Sequence, residues 1–557
     1  MNLSTFWGGA AAPYEIEQSL RFDGFSYLHR TPSAYGGGRI FTHSAWVKKT
    51  TNGGYETLIT AYNGSNADDT IRFDANDTFK FFLNDTSDGN VNTNAQYKDP
   101  SGWYHVVTAV NISTQTVKQY VNGVDVTGSV SIPSGQFVSS FNQSGKQNAI
   151  GRRLAANNYY FDGYMAEVYW IDNQFLDQYD FGEFDDNGVW RPIAYSGTYG
   201  TNGCLLKFDP SAANGIGHDH SGNGNHWTAV GFSTTAGPHN DVLSDTPTNN
   251  FCTWNPIDNT GVGLENGNLD FNYTGAADCG GTFAVTSGKW YWEIEVRLDI
   301  GQGGQPLAHG IHNASVTSDF RKQAAWFYTD EISAGVARRY ANNSVASDVS
   351  VPSSMRTIDV GDFVQCAYDA DSGKVWFGLN NTWMDGSGGT SGNPGTGSNP
   401  VHTLPDTSIP MTPWRSHAGL PWNGFTNFGQ RPYQYTPPTG FKSLCTANLP
   451  SPVIAKPSDH FNTVLYTGNG GTKAVTGVGF EPDFIWFKNR SHNANHSLVN
   501  QVTNGYLAAD ITESESAAND LTYQADGFTH TASSSRRSAS TQTYVAWNWL
   551  AGGSTSS

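Results

Sequence analysis

Residues 288–296 read GKWYWEIEV. Side chains along a strand point to opposite faces with a period of two. Trp290, Trp292, Ile294 and Val296 therefore share one face, and Lys289, Tyr291, Glu293 and Glu295 share the other. The first set predicts a strand whose apolar face lies in a core, with the two tryptophans as anchors against an opposing sheet. The second set allows two readings. Glu293 and Glu295 are either a carboxylate pair aimed into a cleft or the solvent side of a half-buried strand. A retaining glycosidase needs carboxyls about 5–5.5 Å apart, one of them desolvated so that its pKa rises. Strand neighbours two apart stand roughly 7 Å from each other at Cα, so spacing does not exclude the pair.

The rest of the chain repeats the strand signal. Its 557 residues predict three or four domains. Charged residues make up 14% and aromatics 13%, and there are 62 glycines, a composition poor in helix formers. No long segment repeats apolar residues at helical spacing. Short alternating runs separated by Asn-Gly, Asp-Gly and Ser-Gly recur instead. The expected fold class is all-β, with tandem antiparallel β-sandwich (jelly-roll) domains.

The formal net charge is −18, and "GRR" at 151–153 and "SRR" at 535–537 are isolated, so no basic stripe is available for nucleic acid. Cys204, Cys252, Cys279, Cys366 and Cys445 are far apart, odd in number and form no CxxC. That argues for buried thiols, against a disulfide framework and against a zinc site. No stretch is long and apolar enough to span a membrane. The opening "MNLSTFWGGAAAPYEIEQ" has neither a positive n-region nor an apolar h-region. The expectation is a protein assembled in a host cytoplasm and released by lysis.

Residues 1–16 read as an N-terminal attachment arm, with Phe6 and Trp7 as the anchors to a partner. Residues 17–180 read as one sandwich, in which "KQYVNGVDVTG" (118–128) carries a tight-turn signal. Residues 181–250 read as a connector. Its His218, Asp219, His220 and His226 raise a metal reading, but "HSGNGNH" has turn composition, and the structural-turn reading is preferred. Residues 251–445 read as a second sandwich. In "DADSGKVWFG", Asp369, Asp371 and Gly373 mimic the start of a calcium loop, but Asn380 stands where its glutamate belongs, so the segment reads as a hairpin turn. Residues 385–400, "DGSGGTSGNPGTGSNP", read as a mobile low-complexity loop, and residues 446–557 as a C-terminal β domain.

Trp46, Trp103, His105, Val121, Asn122, Gly123, Gly151, Phe161, Gly163 and Glu167 give residues 17–180 a resemblance to the laminin-G-like, concanavalin-A-like family. That resemblance implies a jelly-roll sandwich that often binds carbohydrate and sometimes calcium. No calcium ligands can be assigned, so no cofactor and no metal residues are named, and calcium stays open as the one ion the resemblance allows. "GKWYWEIEV" with "GDFVQCAYDADSGKVWFGLNNTWM" (361–384) resembles the SPRY fold, a bent sandwich used for binding.

Three stretches extend the resemblance over nearly the whole chain: "HDHSGNGNHWT…DTPTNNFCTWNP", "FTNFGQRPYQYTPPTGFKSLCTANLP" (425–450) and "GFEPDFIWFKNRS…TYVAWNWLAGG". Together they look like the modular tail-fibre or tail-spike-like virion proteins of marine and cyanobacterial tailed phages. The resemblance implies a virion (tail) protein, a homotrimer, that joins other virion proteins through the N-terminal arm and binds a host cell-surface glycan without catalysis. Trp383 and Trp422, which flank loop-rich segments, are the candidate contacts for that ligand. A capsid-decoration or tail-adaptor protein and a polysaccharide-degrading spike are the alternatives. Glycosidases resembling the laminarinase family carry acid-x-acid-x-acid on one strand. Here the series is Glu293, Glu295, Arg297, and a base stands where the third acid belongs. The expectation is therefore no catalytic residues, with both glutamates facing solvent.

Overall fold

The computed structural model describes residues 13–551 outside 63, 65–67, 85–88, 134–137, 156, 236, 238, 273–275, 298–306, 317–322, 330–334, 342–343, 357, 419–422, 453 and 455. The fold is all-β, built from antiparallel sheets. It divides into a larger unit, Met1–Glu183 with Trp190–Pro450, and a smaller one, Ser451–Ser557 with Phe184–Val189.

The larger unit holds two sandwiches. In the first, the long strands Ile40–Lys49 and Asp162–Asp172 lie side by side, flanked by Tyr104–Asn111 and Ser19–Asp23. The facing sheet runs Gly89–Gln96, Thr78–Leu83, Asp68–Phe73, Glu56–Tyr62, Asn148–Ile150, Tyr27–Arg30. Phe41, Phe141 and Trp170 pack between them, with the Phe41 and Trp170 rings stacked at 4.9 Å. The expected hairpin at 118–128 forms. Asn122 and Gly123 hold φ of 48° and 78°, the left-handed pair that a two-residue turn of matching twist requires.

Residues 181–250, expected as a connector, complete both sheets of this sandwich. Cys204–Leu206 pairs with Asp162–Asp172, Thr228–Val230 with Tyr27–Arg30, and Val242–Leu243 with Ser19–Asp23. Strands of two or three residues borrow their register from a longer neighbour and carry no alternation of their own.

The same segment then binds the two sandwiches together. Lys48 Nζ, fully buried, donates to Asp245 Oδ2 (2.8 Å), Asn250 Oδ1 (2.7 Å) and the Phe251 carbonyl (2.9 Å). Tyr164 Oη donates to the Gly267 carbonyl (2.6 Å), and Asn268 Nδ2 donates to the Thr50 carbonyl (2.9 Å). Tyr164 and Leu243 belong to the core of the second sandwich.

In that second sandwich, Lys289–Val296 runs between Gly424–Asn427 and Phe363–Asp369. Trp290, Trp292, Ile294 and Val296 are buried in the core, as expected. The opposite face is not the solvent side. Tyr291 and Glu293 are also buried, because the chain returning through Tyr433 and Phe441 lies over them. The expected hairpin between Phe363–Asp369 and Lys374–Leu379 forms. Residues 385–400 are not a free loop. The Asp385 carboxylate accepts from Ser387 N (2.8 Å), Gly389 N (2.9 Å) and Ser391 Oγ (2.6 Å), and Trp376 Nε1 donates to the Ser398 carbonyl (2.9 Å).

The last residues of the expected arm are docked. Ile16 is buried against Trp46 and Ala166, and Tyr14 Oη donates to Glu167. All five cysteines are buried and unpaired, and burial pushes the Cys252 thiol up to about 11.

In the smaller unit, Phe484–Asn489 lies between Thr543–Trp549 and Ser497–Asn500, and Phe461–Thr467 forms one edge of the sheet. Ile485, Phe487, Val499 and Ala546 face its core against the second sheet, Lys473–Val475, Gly527–His530 and Leu521–Gln524.

Candidate functional site

One rim of the first sandwich gathers aromatic rings from three separate segments. Tyr27 starts the strand Tyr27–Arg30, and the guanidinium of Arg152, just past Asn148–Ile150, lies 3.6 Å from its ring centroid. Phe25, in the turn before Tyr27, is 79% exposed and sits 6.2 Å from the ring of Tyr160. Tyr55 leads into Glu56–Tyr62, and its ring lies 4.4 Å from that of Tyr159. Arg72 backs this pair, 4.5 Å from Tyr55 and 5.2 Å from Tyr159, and is held by Asp74 at 2.8 Å. Cation–π contacts of this kind fix ring orientation and are worth about 0.5–2 kcal/mol each.

The backbone beneath is strained. Tyr159 has φ of 54°, a conformation that a bulky L side chain avoids at a cost of order 1–3 kcal/mol. Two main-chain bonds hold it there: Thr57 N donates to the Tyr159 carbonyl (3.2 Å), and Arg153 N to the Asn158 carbonyl (3.0 Å). Fixed rings with exposed surface offer apolar contact to the C–H faces of a sugar. The Arg152 guanidinium and the exposed Asn157 amide offer hydrogen bonds to its oxygens.

Glu293 and Glu295 line a cleft of about 250 Å³ with Phe363, Phe425, Asn427 and Gln434. Glu293 is 1% exposed, and burial raises its carboxyl pKa. Its oxygens are already engaged. Oε1 accepts from Gln434 N (2.5 Å), and Oε2 accepts from Tyr291 Oη (2.9 Å) and Tyr435 N (3.4 Å). The side chain pins the returning segment to the strand.

The buried Ser44–His105 pair (2.8 Å) likewise serves packing. The ring of His105 stacks on Trp46 and accepts from Trp190 Nε1 at Nδ1 (3.0 Å), and burial pushes its pKa down to about 3.

Of the residues singled out from the sequence, Trp383 is half-buried in the strand Thr382–Trp383, 6.4 Å from the ring of Tyr291 and packed on the cluster of Tyr291, Trp376 and Phe441. It is not part of the rim. Trp422, Phe6 and Trp7 lie outside the described residues. Asp219 accepts main-chain bonds from Leu205 (3.0 Å), Ser221 (2.9 Å) and Asn225 (2.7 Å), and its own N–H donates to His226 Nδ1 (3.0 Å). The histidine-rich segment is thus a turn wound on a carboxylate. Among the described residues no group of three or more His, Cys, Asp and Glu is arranged to hold a metal ion. The rim residues went unremarked in the sequence. Their one signal is aromatics set beside turn residues, as in "DGFSY" and "NNYYF".

Comparison with known proteins agrees with the sandwich reading. The model of the concanavalin A-like lectin/glucanases superfamily matches residues 23–178, and that of a domain of unknown function, DUF7483, matches residues 456–557. No curated protein matches the chain in sequence. Solved structures similar to it include the SPRY domain of human HERC1, at 17% identity and a TM-score of 0.23 over 33% of this chain and 99% of that one. Domains LG4-5 of the mouse laminin alpha1 chain align at 11% identity and a TM-score of 0.26, over 79% of this chain and 90% of that one. A SAP-like pentraxin from Limulus polyphemus aligns at 14% identity and a TM-score of 0.24, over 29% and 79%. Residues 23–178 are thus similar to the concanavalin A-like lectin/glucanases superfamily, within an all-β fold.

Proposed function

We propose that this chain is a binding protein of a phage particle, a tail fibre that holds a host-surface glycan without cutting it. The observation that carries the glycan reading is the rim of the lectin-like sandwich, where Phe25 lies beside Tyr160, Tyr55 beside the strained Tyr159, and Arg152 over Tyr27. The virion reading is supported by the modular resemblance of residues 218–256, 425–450 and 479–553. Each sugar contact is weak, and several copies on one particle supply the avidity. The resembled fibres imply three copies, which a pairwise contact between copies would double to six. The occupied oxygens of Glu293 support a role without catalysis.

The test is retention of the full chain on host cells and on immobilised host polysaccharide. Phe25→Ala and Tyr160→Ala should each lower retention several-fold with an unchanged melting profile. Retention equal to wild type in both variants would remove the rim as the site. Release of reducing ends during incubation would favour the degrading spike instead.

A further inference from the structure

The main sheet of the smaller unit is apolar on both faces. Its inner face carries Ile485, Phe487, Val499 and Ala546 to the core. The register places Phe461, Trp549 and Phe484 in one outward row, and Thr463, Trp547, Trp486 and Leu498 in the next. Leu465 and Lys488 follow in the third, and Lys488 is the only charge among these positions. Phe461 is 40% and Leu465 62% exposed. An apolar patch of this kind on a chain with a net charge of −18 marks a surface that something covers.

Two observations say what covers it. The rings are not coplanar: Phe461 and Phe484 are tilted 51° and 54° to Trp549, and Trp486 is tilted 55° to Trp547. Tilted rings flanked by leucines make a rugged surface, which interdigitates with protein side chains. The second observation is the edge. Phe461–Thr467 pairs with Thr543–Trp549 on one side and with no strand on the other among the described residues. Its sequence, FNTVLYT, has no charge and no proline. Natural sheets guard such edges with charge, proline or a bulge, since a bare edge pairs with another chain.

We infer that the partner is a second copy of this chain, its own Phe461–Thr467 antiparallel to the first across a two-fold axis. The pairing joins the two sheets and makes the aromatic face continuous. A two-fold contact brings each patch against itself, and a nearly uncharged patch is the part of an acidic molecule where two copies approach without repulsion. This contact is independent of the glycan rim.

Sedimentation equilibrium of the full chain at micromolar concentration tests it. The expected mass is two copies of 60.4 kDa, or an even multiple. Leu465→Lys and Phe461→Lys replace exposed side chains. Each should keep the far-UV spectrum and melting profile and bring the mass down to a single copy. A single-copy or strictly three-copy mass for the wild type would overturn the pairing, as would lysine variants that associate like the wild type. A single-copy wild type whose tryptophan emission shifts with added soluble β-glucan would overturn it in favour of a saccharide on this face.

Discussion

Asp245→Ala should be among the most damaging single substitutions in the larger unit. Asp245 and Lys48 are both fully buried, and the three donors of the ammonium are spent on Asp245, Asn250 and the Phe251 carbonyl. Removing the carboxylate leaves a buried cation with two neutral acceptors, which costs about 3–5 kcal/mol. It also takes the acceptor from Trp103 Nε1 (3.0 Å) and from Phe251 N (3.3 Å). Each group left unsatisfied adds about 1–3 kcal/mol where water cannot reach it. Against a total stability of about 5–15 kcal/mol, the variant should lose a third or more of it.

The double variant Lys48→Met/Asp245→Leu removes both charges together and should recover the stranded-charge part of the loss, about 3–5 kcal/mol, while the part due to Trp103 Nε1 and Phe251 N remains. Urea unfolding of the full chain, followed by tryptophan fluorescence, supplies both numbers. The loss should also open the segment 239–251 to limited proteolysis, because those residues tie the sandwiches together. An Asp245→Ala variant within about 1 kcal/mol of wild type would refute the reasoning, since no buried ammonium could then have been stranded.

Burial pushes the Glu56 carboxyl up to about 8, against the opposing pull of Lys49. The folded state then holds a proton that the unfolded state releases above about 4.5, so stability falls as pH rises from there to about 8 and stays lower beyond. Glu56→Gln should flatten that decline, which denaturant midpoints at about pH 5 and pH 9 would reveal; an unchanged slope would clear Glu56 of the role. His43 is pushed down to about 3 by burial, so it stays neutral when folded and takes a proton when unfolded below about 6.5. Its contribution is therefore lost as pH falls from 6.5 towards 3, and His43→Phe should move the acid unfolding midpoint downward by a measurable fraction of a pH unit. Glu293→Gln replaces an acceptor of two main-chain N–H groups and should cost about 1–3 kcal/mol in urea while leaving polysaccharide retention intact. A loss of retention at unchanged stability would place ligand in that cleft instead.

Alternation alone determined the fold class and the inward face of its strands. Trp290 and Trp292 sit in the core where a period of two puts them, and Asn122-Gly123 turns the chain because those two residues tolerate the left-handed conformation at small cost. Both signals are local, carried by residues within one strand or one turn. The other face of the same strand was not legible. Glu293 is buried because Gln434 and Tyr435, some 140 positions later, donate their main-chain N–H groups to it, and nothing in GKWYWEIEV encodes that cover. The short strands between 204 and 243 escaped for a related reason, since they exist only as additions to longer neighbours. The rim is the extreme case. Phe25, Tyr55 and the pair Arg152 and Tyr160 come from three segments, and each reads as an ordinary turn residue until the sheet order brings Tyr27–Arg30, Asn148–Ile150 and Glu56–Tyr62 side by side. Periodicity reports how a residue faces its own strand. Which distant segment meets that face is set by sheet pairing and by the closing of the sandwich, so the site belongs to the tertiary structure.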